Sequence, residues 1–537
     1  MPARAELPTA VNRSMDDLER VVERVKALGA APEDAQVLED LVASYGFLTE
    51  MIKDKQTSIA RLRQMLFGST SEKTEKVLGT ETVAEEGAEP EARPPAKGHG
   101  RHGAQAYTGA RKVAVPHGTL RPGSACPHCK GTLCGKSPER LVRITAATPF
   151  SATVYEQERM RCNLCGETFT AKAPADVGEE KYDASVSSML GVLRYGSGVP
   201  HNRIEQLQEA AGVPLPASTQ WDLLEEGAEA LAPALAELVR QAAQGQVLHN
   251  DDTPMVVLAF LKEEKERRER GEKPSERTGV FTTGIVAVLA GGARIVLYAT
   301  GRRHAGENLL EVLRHRAPGL PPPTQMCDAL DRNLPVELET VVGNCLAHGR
   351  RQFVDVVGSF PQEVRHVLEE LSLVYRTDAR ARAEGLTDEG RLALHQAQSG
   401  PVMERLATWM DGLLAERLVE PNSGLGKAIN YVRSRWERMT LFLRKAGAPL
   451  DNNLCERMLK RAILHRKNSL FYKTENGARV GDLYMSLIAT ARLAKEDPFD
   501  YLTRLQRHAA KVAANPAEWM PWNYRETLAR SAAGPGP

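Results

Sequence analysis

The sequence predicts a multidomain α+β protein, and three observations carry that expectation. Apolar residues near the N-terminus recur at alternating steps of three and four, two Cys-x-x-Cys pairs follow, and strand-like runs beyond residue 245 give way to alternating helix and strand. At 537 residues the chain is too long for one hydrophobic core, so several domains are expected.

Residues 15–68 read as a helical region. Its seam is Leu38, Leu41, Tyr45, Leu48, Ile52, Ile59, Leu62 and Leu66, interrupted by Lys55 at a core position where a polar residue can set register or oligomeric state. This predicts a coiled coil and a homo-oligomer joined through the N-terminal helix; the alternative is a long amphipathic helix packed on its own chain. Gly68, Ser69, Thr70 and Ser71 end the seam. Residues 69–112 begin acidic (Glu81, Glu85, Glu86), turn basic (Arg93, Lys97, Arg101, Arg111, Lys112) and hold too few apolar residues to offset ordering entropy, which predicts a disordered linker.

Five of the eight cysteines fall between 126 and 165. In residues 113–180, Cys126 with Cys129 and Cys162 with Cys165 form two pairs around strand-like sequence, each followed by a turn glycine, Gly131 or Gly166. Four thiolates on two knuckles make a tetrahedral site, so a zinc ribbon with one structural Zn2+ is expected; His128 and Cys134 are further candidates it does not need. Residues 184–240 read as a helix, a Gly- and Pro-bearing turn and a second helix capped by Ser218, the outline of a helix-turn-helix. Asp222, Glu225 and Glu226 argue against laying that second helix deep in a DNA groove.

From residue 245 the character changes. QVLHNDDTPMVVLAF, VFTTGIVAVLAGG and ARIVLYATG read as three strands, the first two separated by a charged run (KEEKERRERGEKPSER) that reads as a long solvated hairpin loop. A helix (HAGENLLEVLRHR), a strand near QMCDAL and another near VVGNCLAHGRRQF follow. Three antiparallel strands followed by helix, strand, helix and strand is the order of an RNase H-like sheet. This gives a first catalytic segment at 245–355, a helical insertion at 356–446, a second segment at 447–510 and a C-terminal tail at 511–537.

Asp251 lies in the first strand, Asp328 ends the fourth, and Glu456 sits on a later helix able to cross the strand ends. Three acids distant in sequence and converging in space suit Mg2+, which prefers oxygen ligands. Two such ions, about 3.5–4 Å apart, can activate an attacking oxygen and stabilise a leaving one. Each acid also has a plainer role open to it. Asp251 can be a solvated member of the Asp251–Asp252 pair, Asp328 can start a turn, and Glu456, with Asn453 as N-cap, can tend a helix start.

The segments LHNDDTP, RRHAGENLL, CDAL, CLAHGRRQF, LGKAINYVRSRWERMTLFL and LDNNLCERMLKRAILHRKNSLF resemble, in that order, the transposases of the insertion-sequence 66 group, a bacterial mobile-element family. RLRQMLFGSTSEK, CPHC and CNLC extend the resemblance over nearly the whole chain. It implies a DDE catalytic domain with Asp251, Asp328 and Glu456 as its acids and magnesium ligands, DNA as partner, and small accessory proteins of the same element. Departures are Asp252 where glutamate is expected, Leu346 in place of an aromatic residue, and Cys455 before the third acid. His348, Arg350 and Arg351 follow the fifth strand and are expected near the same cleft, while Arg457, Lys460, Arg461, Arg466 and Lys467 are candidates for DNA phosphate.

The reading is a DNA transposase acting by hydrolysis and strand transfer. The alternatives are a zinc-ribbon DNA-binding regulator on a non-catalytic RNase H-like scaffold, and a metal-dependent nuclease without strand transfer. A net charge of +1 confines any DNA-binding surface to part of the molecule. No run approaches the roughly 20 apolar residues that span a bilayer, so a cytoplasmic, nucleoid-associated protein without membrane attachment is expected.

Overall fold

The computed structural model describes residues 149–161, 168–172, 180–275 and 277–532, with a few scattered positions before residue 180. The seam beyond Leu38, the linker and the four paired cysteines lie outside the described residues. Two short strands, β1 (Arg159–Arg161) and β2 (Thr168–Thr170), pair antiparallel with Arg161 opposite Thr168. The segment joining them carries Cys162 and Cys165.

The chain divides into two compact units. The larger begins, among its continuous described residues, with α1 (Ala184–Gly191), α2 (His201–Ala210) and α3 (Ala217–Ala242). The α3 helix buries Gln220, Leu224, Ala228, Leu231, Ala234, Leu238 and Ala242, a stripe at helical spacing facing the core. Its start differs from expectation. The N-cap position is Pro216, not Ser218, and the Ala217 amide donates to Glu205 Oε1 of α2 at 3.3 Å.

A five-stranded sheet follows, built from β3 (Val247–Pro254), β4 (Phe281–Val288), β5 (Arg294–Gly301), β6 (Thr324–Cys327) and β7 (Val341–Asn344) in the order β5-β4-β3-β6-β7. The β3, β4 and β5 strands form the expected antiparallel meander, and β6 and β7 run parallel to β3. The first half of the charged run between β3 and β4 is not a loop but part of α4 (Leu258–Glu269), and the chain beyond it, from Arg270, is turn and coil. Leu, Ala, Lys, Glu and Arg are strong helix formers, and pairs such as Lys262–Glu266 (3.6 Å) and Lys265–Glu269 (3.7 Å) support the turn-to-turn register. Between β5 and β6 lies α5 (Ala305–Leu313). Between β6 and β7 there is only a 3-10 turn (Asp331–Asn333) where a helix is expected, and the strand near VVGN stops at Asn344, its continuation being the helix α6 (Leu346–Val354).

The smaller unit comprises Gly349–Glu384 and Ala397–Ser434 in its continuous described part, and includes α7 (Pro361–Ala383), the later part of α8 (Asp388–Ala415) and α9 (Gly424–Arg433). Val364, Val367, Leu371 and Val374 on α7 repeat at three and four and are buried, as are Met403, Leu406 and Met410 on α8. Arg433 donates both Nε and Nη2 to Asp411, at 2.7 and 2.6 Å.

The larger unit resumes with α10 (Trp436–Met439), α11 (Asn453–Ser469), α12 (Glu475–Leu493), α13 (Pro498–Arg507), α14 (Ala509–Ala514) and α15 (Tyr524–Ala532). The α12 helix covers the outer edge of β5 by side-chain hydrogen bonds. The amides of Val296, Tyr298 and Thr300 donate to Thr490 Oγ1 (3.0 Å), Ser486 Oγ (2.9 Å) and Asp482 Oδ2 (2.6 Å). Four helical residues rise about 6 Å and two strand residues about 6.6 Å, so acceptors at every fourth helix position match donors at every second strand position. An edge that would otherwise offer unpaired amides is closed. The expected C-terminal tail is also different. Trp519, Met520 and Tyr524 are buried in the core, and Tyr501 Oη donates to the Trp519 carbonyl at 3.0 Å.

Candidate active site

The sheet register brings the first two acids together. His249 of β3 pairs with Met326 of the parallel β6, and two residues further along each strand direction stand Asp251 and Asp328. Asp328 follows the end of β6 and is held by the Leu330 amide (3.2 Å) and by Asn333 Nδ2, both donating to its Oδ1.

Glu456 arrives on α11, and Gly284 allows the approach. Across the ladder from Asp251, Gly284 has no side chain, and a Cβ there would lie 2.9 Å from Leu459 Cδ2. Cys455 Sγ donates to the Gly284 carbonyl at 3.2 Å, which gives the residue beside Glu456 a packing role. Asn452 anchors the helix start: its Nδ2 donates to the Asn250 carbonyl (3.1 Å), its Oδ1 lies 3.1 Å from His249 Nδ1, and its amide donates to Cys345 Sγ (3.2 Å). Burial drops His249 to about 4, so that imidazole is neutral.

The helix-capping role for Glu456 finds no support in this geometry. The N-cap is Asn452, and the Glu456 amide already donates to the Asn452 carbonyl at 3.1 Å. The free amide of Asn453 is met by Asp451 Oδ1 at 3.1 Å. Glu456 Oε1 is buried and accepts no hydrogen bond, and His348 Nδ1, which faces it at 3.7 Å, beyond hydrogen-bond reach, is also buried without a hydrogen-bond partner.

Electrostatics ties the acids into one group. Burial, and then the charges of Asp328, Glu456 and Asp252, push the Asp251 carboxyl up to about 7; the Asp252 amide, donating to Asp251 Oδ1 at 2.8 Å, works the other way. Mutual repulsion among partly buried carboxylates is what a bound cation relieves. The donors of Asp251, Asp328 and Glu456 are all oxygen, the ligand type that a hard divalent ion such as Mg2+ prefers. Asp252 points elsewhere. Its side chain is 1% exposed and accepts from Thr283 Oγ1 (2.7 Å) and from the Ala305 amide at the start of α5 (3.1 Å), with His304 Nδ1 at 3.2 Å.

The other expected residues fall into different settings. His348, on α6, is beside Glu456; Arg350 and Arg351 continue that helix, half-buried. Arg457, Lys460 and Lys467 are exposed along α11, and Arg461 is half-buried with one Nη1 that has no partner. Arg466 already holds β3, donating to Thr253 Oγ1 at 3.2 Å and to the Pro254 carbonyl. Cys345 was not among the expected site residues, yet it completes a cluster with His348 and Glu456. Its Cys-x-x-His spacing is the signal in the sequence. Burial pushes its thiol up to about 12.

Among the described residues no helix is long and apolar enough to cross a membrane. The uncharacterized protein y4hP of Sinorhizobium fredii is 24% identical over 513 residues, 88% of this chain and 89% of that one. The uncharacterized protein y4jD of the same organism is 33% identical over 195 residues, and the match spans only 37% of its length and 35% of this chain. A third, y4qI, is 29% identical over 191 residues, 35% of either chain. The family model described as Transposase IS66 family matches residues 180–480, a stretch that contains the sheet and all three acids. The chain belongs to the IS66 family of transposases.

Proposed function

We propose that this protein is a DDE-type DNA transposase that binds the ends of its own element, hydrolyses a phosphodiester to free a 3′-hydroxyl, and joins that hydroxyl to target DNA. The observation that carries the proposal is the match of residues 180–480, with Asp251, Asp328 and Glu456 among them, to the IS66 transposase family; the influence of Asp328 and Glu456 on the buried Asp251 carboxyl supports it. Asp251, Asp328 and Glu456 would hold Mg2+, two ions in the full reaction. Metal held there would supply Lewis-acid charge for the attacking and the leaving oxygen. The protein's own part is to hold three carboxylates on a rigid sheet and helix, so that little reorganisation is needed when the phosphate arrives. Arg457, Lys460, Arg461 and Lys467 would contact phosphates, with Arg466 serving β3 instead. Cys126, Cys129, Cys162 and Cys165 would hold one structural Zn2+, and residues 38–66 would join copies of the chain. Accessory proteins of the element and a cytoplasmic, nucleoid-associated location belong to the same reading.

The test uses Asp251→Asn, Asp328→Asn and Glu456→Gln with the element's own ends and Mg2+. Each is expected to lose cleavage and joining while retaining fold and end-binding. Glutamine can still serve a helix start, so robust cleavage by Glu456→Gln would remove that residue from the site. Cut ends without joined product would leave a nuclease.

A further inference from the structure

Three atoms able to bind metal gather where α6 meets the start of α11. The Cys345 thiol, a His348 ring nitrogen and a Glu456 carboxylate oxygen all lie within 4.8 Å of one another. Two polar atoms here, His348 Nδ1 and Glu456 Oε1, are buried and have no hydrogen-bond partner. Native interiors seldom leave such atoms unmet without a ligand to complete them. The Cys345 sulfur is held in place by the Asn452 amide, which donates to it at 3.2 Å. Sulfur, nitrogen and oxygen together are a donor set for zinc-class cations, whereas Mg2+ takes oxygen alone.

We propose that Cys345, His348 and Glu456 form a second metal site, for a zinc-class cation, which shares Glu456 with the carboxylate site. Tetrahedral zinc, with bonds of about 2.0 Å to nitrogen or oxygen and about 2.3 Å to sulfur, sets such atoms roughly 3.5 Å apart, so closure needs a shift of about an ångström. Rotation of the half-buried His348 and Glu456 side chains supplies it. On binding, the Cys345 thiol gives its proton to solvent and ligates as the thiolate, and the fourth position stays open. A cation seated here takes Glu456 away from Asp251 and Asp328, so zinc-class ions oppose magnesium-dependent chemistry. That consequence rests on the reading of Glu456 as a magnesium ligand; the existence of the site does not.

Cobalt(II) titration of metal-free, full-length protein tests the site, because thiolate bound to cobalt absorbs in the near ultraviolet. His348→Ala is the decisive variant, since it keeps every cysteine of the chain. It is expected to bind one cobalt fewer per chain than the parent, with weaker near-ultraviolet absorption and an unchanged fold by circular dichroism. Cys345→Ala should match it; if that buried substitution prevents folding, His348→Ala decides alone. Asp251→Asn should retain this cobalt. Equal uptake and absorption by parent and His348→Ala would overturn the proposal, as would loss of the same cobalt in Asp251→Asn. Failure of the magnesium reading would show instead as normal cleavage by Asp251→Asn, with this cobalt count unchanged.

Discussion

Asp251 and Asp252 are chain neighbours with opposite duties, because a strand turns successive side chains to opposite faces. Asp251 is pushed up to about 7, above the usual carboxylate range. An acid whose pKa rises on folding keeps its proton in the folded chain where the unfolded chain has lost it. In the absence of metal, stability therefore falls as pH climbs from about 4 to about 7, and it is not regained above that. Asp251→Asn removes this loss. Without metal the variant should be more stable than the parent near pH 8, by on the order of a few kcal/mol, with the difference shrinking towards pH 4. Melting curves in chelator across that range check it, and equal stability near pH 8 would count against the burial of charge. Asp252→Asn should behave in the other direction. Its carboxylate accepts from Thr283 and the start of α5, and an amide cannot replace all those acceptors. The expected cost is about 1–3 kcal/mol, measured by denaturant unfolding, with a milder loss of cleavage than at Asp251.

At the scale of elements, two contacts between helices and sheet shape the larger unit. Gly284 and Cys455 let α11 sit against β4, which carries Glu456 to the strand ends. The α12 helix closes the β5 edge through Asp482, Ser486 and Thr490. Ser486→Ala leaves the buried Tyr298 amide without its acceptor at no gain in packing. It should lower stability by about 1–3 kcal/mol, whereas an ordinary exposed Ser→Ala change on a helix is close to neutral. Chemical denaturation distinguishes these, and a neutral result would mean that water reaches the edge.

For the larger unit as a whole, the chain end is structural. Trp519 and Tyr524 are buried, and the one hydroxyl proton of Tyr524 has two acceptors in reach, Glu496 Oε2 at 3.0 Å and Asp500 Oδ2 at 3.1 Å. Trp519→Ala should destabilise by about 3–5 kcal/mol, a loss visible in thermal melts. A tail merely resting on the surface would show almost none.

The meander, the two parallel strands and the acid at the end of β6 were legible in the sequence because each has a local sign: apolar runs of strand length, turn residues, and a carboxylate where a strand stops. Family resemblance added the third acid, which spacing alone left open to helix capping. Other features were not legible. The α4 helix was hidden because a run of Lys, Glu and Arg suits a solvated loop and an exposed helix equally. The C-terminal helices were hidden because Trp519 and Tyr524 show their purpose only once a core exists to receive them. Arg466 changed role, and Cys345 entered the cluster beside Glu456, for the same reason. By itself the sequence determined which segments become strands and which acids stand at their ends, since those properties arise from neighbours in the chain. Only the tertiary structure decided which carboxylate is orphaned, which is clamped, and which cysteine and histidine stand beside Glu456, because charge, burial and unmet hydrogen bonds depend on residues hundreds of positions apart.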